Sequence, residues 1–303
     1  MHHFKIMPIH QVVPQVFITT PMHKRNNKPS RLLNLALTHR LHKAPRFVQS
    51  FAIEQVFNDT ARRCKGSSAL IVIYKTGLTT RLMQRIAKNT AQPATVFLNQ
   101  ANIKKNRCPI RWFNHSHEIS RCGHGTLAAA LFLKKWQGFS PNTFYTKTGE
   151  VFETRIHQRA LQLQLTTIDS TEVQTEVLLQ QAIPASIVQS YKTAEINGYS
   201  TLMINSDQPL KTLAINTAQL QYYPNAVIVL QQRQTAYQNT QWHFRYFAPY
   251  YGVDEDSATG SAICIIAPII KQYTEQTHGQ LFQDSVAGAT INYRLKNSNV
   301  IIS

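Results

Sequence analysis

A histidine between two glycines is the first feature of this sequence that could support a reaction. His124 stands between Gly123 and Gly125, and an apolar stretch, Thr126–Leu133, follows directly. Glycine lets the backbone approach a ligand closely, and the unpaired amides at a helix start favour a carboxylate or phosphate. Because histidine titrates near neutral pH, this block predicts a site for proton transfer. The same residues also suit a tight turn whose histidine caps the helix or meets solvent.

A second block places acidic residues before another apolar stretch. Residues 254–256 are all acidic and precede Gly260, which opens the apolar segment Ser261–Ile270. Acidic side chains suit the positive end of a helix dipole. Taken by itself, the block is more typical of a helix N-cap formed by Asp256 or Ser257.

Together, the two blocks predict an acid–base site. One helix start carries His124 and the other carries Asp256, and we expect them to face each other across the interface of two halves of the molecule. Such interfaces are a favoured place for ligand sites. A histidine opposite a carboxylate allows general acid–base chemistry on a small anionic substrate.

An internal echo indicates which elements position these residues. The segment Arg111–Phe113 precedes Gly125, and the similar segment Arg245–Phe247 precedes Gly260 at nearly the same distance. Both of the apolar stretches that follow are apolar on nearly every face, which indicates helices buried all round, and Pro268 is expected to kink the second. The repetition predicts a duplicated architecture in which strands wrap around one central helix in each half.

Shorter patterns fill in the two halves. They predict a helix at Leu82–Asn89 and strands at Phe51–Phe57, Ala69–Tyr74, Ala94–Leu98 and Pro109–Phe113. Parts of 144–165 and 187–231 alternate with period two, as further strands would. We therefore expect an α/β (α+β) fold with a first half at 47–160 and a second half at 161–303. The last strand is a candidate to return to the first half.

The net charge of +17 is unevenly distributed along the chain. Residues 1–46 contain eight lysines and arginines and no acidic residue, and five prolines interrupt them, so we expect a flexible basic extension outside the fold. Strong basic charge favours anionic small molecules, nucleic acid or anionic membrane surfaces. The sequence has no zinc-finger spacing, RNP-like strand or basic helix that leads into heptads, so it does not support a specific nucleic-acid reader.

Cysteine use and the length of apolar runs indicate the compartment. Cys64, Cys108, Cys122 and Cys264 show no CxxC spacing, which favours a reducing cytoplasm over a disulfide framework. The longest apolar runs fall short of the about 20 residues that span a bilayer. We therefore expect a cytoplasmic protein without a membrane partner.

Two long segments resemble the PhzF-like isomerases of phenazine biosynthesis. The first, Arg111–Ala130, reads RWFNHSHEISRCGHGTLAAA, and the second, Arg245–Ala262, reads RYFAPYYGVDEDSATGSA. The likeness covers most of residues 47–303 and none of residues 1–46. It implies the diaminopimelate-epimerase-like fold, with two pseudo-symmetric halves that each wrap a mixed sheet around a central helix. It also implies a homodimer that moves a proton on a small cyclic carboxylate without a cofactor or metal.

The resemblance assigns roles to individual residues by motif position. It implies that His124 and Asp256 are acid–base or substrate-holding residues. It also implies that the glutamates following Arg111 and Arg245 are their ion-pair partners. The residues expected to contact the substrate are Gly66, Ser67, Gly123, Gly125, Thr126, Thr259, Gly260 and Ser261.

The chain departs from the family pattern where the general base should stand. The segment Gln92–Phe97 reads QPATVF against the family's Gln-Pro-Glu-Thr-x-Phe, so Ala94 occupies the position of the glutamate. Alanine has no proton to give or take. In addition, the segment 66–68 reads GSS where the family has Gly-Asn-Pro, and Gln55 replaces an aspartate. The family's usual activity is therefore expected to be reduced or altered.

Three alternatives to an active PhzF-like isomerase stay open. One is a catalytically inactive homologue that binds a small ligand. Another is a proline-racemase-like enzyme with Cys122 as the base, because a helix N-terminus lowers the pKa of a thiol. Against it, Ser257 stands about where the second racemase cysteine is expected. The third is a polyanion-binding protein that depends on the basic residues 1–46.

Overall fold

The structure is a computed structural model that describes residues 47–90, 92–158, 160–195, 198–234 and 240–303. The predicted basic extension of residues 1–46 lies outside the described residues. Within the described part of the chain, no helix has both the length and the hydropathy needed to cross a bilayer.

A five-stranded sheet forms the first layer of the molecule. Its strand order is β1 (Val48–Val56), β2 (Ser67–Tyr74), β3 (Ala94–Asn99), β5 (Arg111–Phe113) and β6 (Glu118–Ile119). Helix α1 (Thr80–Lys88) connects β2 to its parallel neighbour β3. Met83 and Ala87 of α1 pack on Leu70, Val72 and Phe97, so this helix covers the outer face of the sheet.

A twelve-stranded sheet holds the rest of the strands. In spatial order they are β10 (Ser170–Val173), β11 (Ser186–Thr193), β12 (Tyr199–Asn205), β13 (Ala226–Gln234), β14 (Thr240–Phe247), β15 (His278–Gln283), β16 (Ala289–Lys296), β17 (Asn299–Ile302), β9 (Ala160–Thr166), β8 (Val151–His157), β7 (Thr143–Tyr145) and β4 (Arg107–Pro109). The last strand, β17, pairs antiparallel with β9, where the predicted boundary between the halves falls. The exact division of the chain into two halves stays a prediction.

Two central helices fill the core between these sheets. Helix α2 (Gly123–Gln137) packs against β1, β2 and β3 on one side and against β8 and β9 on the other. Helix α5 (Ile263–Thr274) packs against β16 and β17. Apolar residues from both helices belong to one continuous core. Because helices buried all round need apolar residues on every face, their composition correctly predicted this position.

Short helices cover a smaller second core. Helices α3 (Val177–Ala182) and α4 (Thr217–Leu220) contribute Leu179, Ala182 and Leu220 to an apolar layer over β12 and β13. Single 3-10 turns occur at Gln100–Asn102, Leu210–Thr212, Pro249–Tyr251 and Gly260–Ala262.

Two expectations about the elements need correction. The single strand predicted at Pro109–Phe113 is wrong, because β4 belongs to the large sheet and β5 to the small one. A period-two pattern reports which side each residue faces but not a change of partner strand. The second apolar helix also begins differently, since Gly260–Ala262 form a 3-10 turn and regular α-helix starts at Ile263.

Pro268 lies inside α5 and removes one hydrogen bond of the helix. Proline has no N–H, so the carbonyl four residues earlier, that of Cys264, loses its helical donor. The backbone N–H of Ile168 takes its place at 3.1 Å. The proline thus creates a docking point for the segment that follows β9.

Candidate active site

A cavity of about 550 Å³ lies at the starts of the two central helices. Five of the residues predicted for the site line it: Cys122, His124, Asp256, Thr259 and Ser261. The other predicted residues, which are Gly66, Ser67, Ala94, Gly123, Gly125, Thr126 and Gly260, lie outside its lining. The structure therefore brings the histidine and the carboxylate of the two blocks into one cavity.

The two helix starts approach each other closely. A methyl group added to Gly123 would lie 3.2 Å from the backbone nitrogen of Ser261 and 3.3 Å from the carbonyl carbon of Gly260. Only a residue without a side chain fits at this distance without displacing the opposite backbone. The glycine at position 123 thus allows the two helix starts to meet beside the cavity.

His124 is buried, and the charge of Asp256 acts on its imidazole. The residue is only 7% exposed to solvent. Burial lowers the pKa of His124, and the negative charge of Asp256 works against that change. The N-cap position belongs to Cys122, without a side-chain capping bond. His124 is therefore neither the helix cap nor a solvent-exposed turn residue, and its neutral imidazole faces the cavity.

Asp256 is held in a hydrogen-bonded turn ahead of α5. Its Oδ2 accepts a 2.6 Å hydrogen bond from the hydroxyl of Thr259. The buried Gln283 of β15 accepts from the backbone N–H of Thr259 at 2.6 Å and donates to the backbone carbonyl of Asp256 at 2.6 Å. Neither helical segment that begins here has a side-chain cap, so the N-cap interpretation is wrong.

Cys122 does not behave as an activated thiol. Its side chain is buried, and its Sγ lies 3.6 Å from Nδ1 of His124. Burial raises the pKa of Cys122 to about 12. The expectation that the helix N-terminus lowers this pKa is therefore wrong, because loss of water around the thiolate outweighs the favourable helix dipole.

Ala94 lies beside the cavity without reaching its surface. It opens β3, is fully buried, and belongs to the core that contains α2, while the preceding Pro93 lines the cavity. A side chain at position 94 thus starts from the face of β3 that packs on α2. Alanine leaves this wall without an ionisable group.

The remaining residues that were predicted to contact the substrate make contacts within the protein itself. Gly66 has a φ of 66° at the turn before β2, and its N–H donates to the carbonyl of Gly288 at 2.8 Å. Ser67 is buried and pairs with Val56. The hydroxyl of Thr126 donates to the carbonyl of Cys122 at 2.7 Å. Substrate contact by these residues stays a prediction.

The internal echo is visible as two matching ion pairs. Nε of Arg111 lies 2.6 Å from Glu118, and Nε of Arg245 lies 2.7 Å from Glu255. Each pair has a second hydrogen bond through the terminal nitrogen NH2, at 2.7 Å and 2.8 Å respectively. The predicted pairing of the two glutamates is confirmed, and both carboxylates are occupied by two-point contacts.

The cavity and support residues that were not found from the sequence include Arg121, Tyr199, Tyr246 and Gln283. Arg121 stood inside the first signature, so its charge next to a helix start was an available signal. Tyr246 likewise stood inside the second signature, whereas Tyr199 and Gln283 lie in strands whose local patterns indicate only alternation. No group of three or more His, Cys, Asp or Glu side chains suited to a metal ion occurs among the described residues.

Comparison with known proteins identifies the family of this chain. Residues 55–296 match the PhzC-PhzF family, described as phenazine biosynthesis-like protein. An uncharacterized isomerase of Halalkalibacterium halodurans is 27% identical over 248 residues, which cover 80% of this chain and 90% of that protein. The human phenazine biosynthesis-like domain-containing protein is 29% identical over 257 residues, covering 78% and 89%.

Solved structures show the same fold. A putative phenazine biosynthesis PhzC/PhzF protein from Clostridium difficile superposes with a TM-score of 0.69 at 25% identity, covering 83% of this chain and 93% of that one. A PhzF family protein from Enterococcus faecalis gives 0.70 at 20% identity with the same coverage. The chain therefore belongs to the phenazine biosynthesis-like, PhzC-PhzF family and has its pseudo-symmetric, epimerase-like α/β fold.

Proposed function

We propose that this protein is an isomerase or epimerase that moves a proton on a small carboxylate without a cofactor. The observation that carries the proposal is the placement of His124 and Asp256 in one cavity, between two helix starts. The helix-start amides attract a carboxylate. The histidine and the aspartate then lie beside the bound acid, where general acid–base catalysis needs them.

In the proposed reaction, His124 performs the proton transfer that the family assigns to the missing glutamate. Its lowered pKa keeps the imidazole neutral near pH 7, so it can accept a proton from a carbon next to the carboxylate. Asp256 stabilises the imidazolium that results, and the helix-start amides stabilise negative charge on the substrate. His124 then returns the proton to another carbon on the same face, or to the opposite face of the same carbon after the planar intermediate has turned over in the cavity.

The other carboxylates of the cavity are poor candidates for this role. Glu118 and Glu255 line the cavity, but each is bound at two points by an arginine. The hydrogen bond from Arg111 also lowers the pKa of Glu118, and a weaker base abstracts a proton less readily.

Deuterium uptake tests the proposal. The protein is incubated in heavy water with a panel of cyclic hydroxy and amino acids, and deuterium is read by mass spectrometry. We expect exchange by the wild type, and a loss of about 100-fold or more in His124→Gln and Asp256→Asn. Undiminished exchange in both variants would overturn the assignment.

A specific observation favours a second function, that of a non-catalytic binding protein. Ala94 stands at the family's base position and is fully buried, so no proton carrier occupies that wall. The variant Ala94→Glu distinguishes the two functions. Exchange by the variant alone would indicate a natural binder, whereas exchange by the wild type supports the isomerase.

A further inference from the structure

Arg121 brings a guanidinium, ion-paired with Glu150, to the wall of the cavity, apart from the helix-start amides. It directly precedes Cys122, lines the cavity, and has a side chain that is only 15% exposed. Its Nε lies 2.8 Å from Oε1 of Glu150, and NH2 donates to the backbone carbonyl of Thr166 at 3.2 Å. Glu150 and Thr166 do not line the cavity. They hold the guanidinium in place from outside it.

The guanidinium retains hydrogen-bonding capacity. Arginine has five N–H donors in a planar fork. Among the described residues, only the bond to Thr166 satisfies one of them with good geometry, and the buried Nε is close to Glu150 without the alignment of a hydrogen bond. The terminal nitrogens can therefore bind a carboxylate at two points, as arginine commonly does.

Two tyrosines line the same cavity as Arg121 and the acid–base pair. The rings of Tyr199 and Tyr246 lie with centroids 6.4 Å apart, and both line the cavity. Burial raises the pKa of Tyr199 to about 12 against the opposing charge of Arg121, and burial also raises the pKa of Tyr246. The backbone carbonyl of Tyr246 accepts from the N–H of Asp256 at 3.0 Å. The two tyrosines thus form a neutral aromatic part of the cavity wall, which the backbone of Tyr246 joins to Asp256.

We infer that Arg121 forms a second anion-binding subsite and that the ligand is a flat, unsaturated ring carrying two acidic groups. One acid binds at the helix starts beside His124, and the other binds Arg121. The ring between them packs on the two tyrosines, since aromatic side chains favour contact with flat apolar surfaces. That this ligand is a substrate rests on the proposed function; the subsite itself does not.

Calorimetry with simple ring acids tests the subsite. The full-length protein is titrated with benzoate and with phthalate, isophthalate and terephthalate, which hold two carboxylates at three spacings. We expect at least one diacid to bind about tenfold or more tightly than benzoate, as a charged hydrogen-bonded contact provides. Cyclohexane-1,3-dicarboxylate, which is not flat, should bind more weakly than isophthalate.

Variants of Arg121 test whether this residue causes the preference for diacids. Arg121→Gln should abolish the advantage of the diacid over benzoate. Arg155→Gln removes the same charge from an exposed position on β8, outside the cavity, and should leave the preference intact. Arg121→Lys keeps the charge but loses the fork, so it should reduce the preference even if Arg121→Gln fails to fold.

The possible results separate this inference from the proposed function. A wild type without preference for any diacid, or a preference that survives in both Arg121 variants, would overturn the subsite. A preference that follows Arg121 without any proton exchange would support the subsite and count against the isomerase. Proton exchange by a protein that shows no preference for diacids would support the isomerase and count against the subsite.

Discussion

At the scale of single residues, the protonation of His124 links the site to stability. Burial lowers the folded-state pKa of His124 below its ordinary value of 6.5, so the unfolded chain binds this proton more tightly than the folded protein does. The folded state therefore loses stability as pH falls from about 6.5 toward the lowered pKa. Above about pH 6.5 the histidine is neutral in both states and causes no such loss of stability.

Comparison with His124→Gln isolates this effect, because glutamine does not titrate. We expect the free energy of unfolding of the wild type, relative to that of the variant, to decrease as pH falls below 6.5. Denaturant unfolding of both proteins between pH 5 and 8 measures the difference. An increase in the relative stability of the wild type toward acid would mean that Asp256 raises the pKa of His124 more than burial lowers it.

The buried state of Cys122 leads to a second prediction at this scale. With a pKa near 12, Cys122 is a protonated thiol at neutral pH, whereas Cys64 is partly exposed. Iodoacetamide should therefore alkylate Cys64 before Cys122, which peptide mass spectrometry can follow. Cys122→Ser should keep any proton exchange. Loss of exchange in Cys122→Ser, with exchange retained in His124→Gln, would instead support the racemase-like mechanism.

At the scale of elements, the contact between the two helix starts determines the cavity. In most helices, alanine in place of glycine would stabilise by about 1 kcal/mol. At position 123 the added methyl group meets the backbone of Ser261 and Gly260 in the opposite segment. Backbone cannot rotate away as a side chain can, so this substitution must separate the two helix starts.

Gly123→Ala and Gly125→Ala form a matched pair. A methyl group at Gly125 would lie 2.9 Å from Sγ of Cys122 and 2.9 Å from Cδ1 of Trp112, both side chains of the same half. We expect Gly125→Ala to lose about 1–3 kcal/mol of stability by overpacking, whereas Gly123→Ala chiefly weakens binding of ring carboxylates. Denaturant unfolding and calorimetry on both variants check this. Equal carboxylate affinity in Gly123→Ala and the wild type would contradict it.

At the scale of the whole molecule, the positive charge has two sources. Eight of the 32 lysines and arginines belong to residues 1–46, which precede the family match at 55–296, and the other 24 share the rest of the chain with all 15 acidic residues. Binding to a polyanion depends on the number of charges that contact it and falls steeply with salt. Any such binding by this chain should therefore depend on residues 1–46 rather than on the cavity.

Deletion of residues 1–46 tests this separation of roles. We expect the shortened chain to lose salt-dependent retention on heparin while it binds ring carboxylates as the full chain does. Salt-gradient elution and calorimetry measure the two properties. Unchanged elution after the deletion would place the polyanion-binding charge on the folded part of the molecule.

The resemblance to the PhzF-like family implied the ion pairs of the internal echo, whereas the sequence by itself determined the central helices and the two blocks at their starts. These features depend on short-range physics, since helix burial is reflected in composition and a helix start in its own flanking residues. The meeting of His124 and Asp256 in one cavity also followed, because the echo indicated equivalent positions in two halves.

Only the tertiary structure decided the walls of the cavity and the state of its groups. Tyr199, Tyr246 and Gln283 come from strands far apart in the chain, and strand patterns do not reveal which strands become neighbours. The break between β4 and β5 was missed for the same reason. The pKa of Cys122 depends on how completely the surrounding elements exclude water, which no local pattern records.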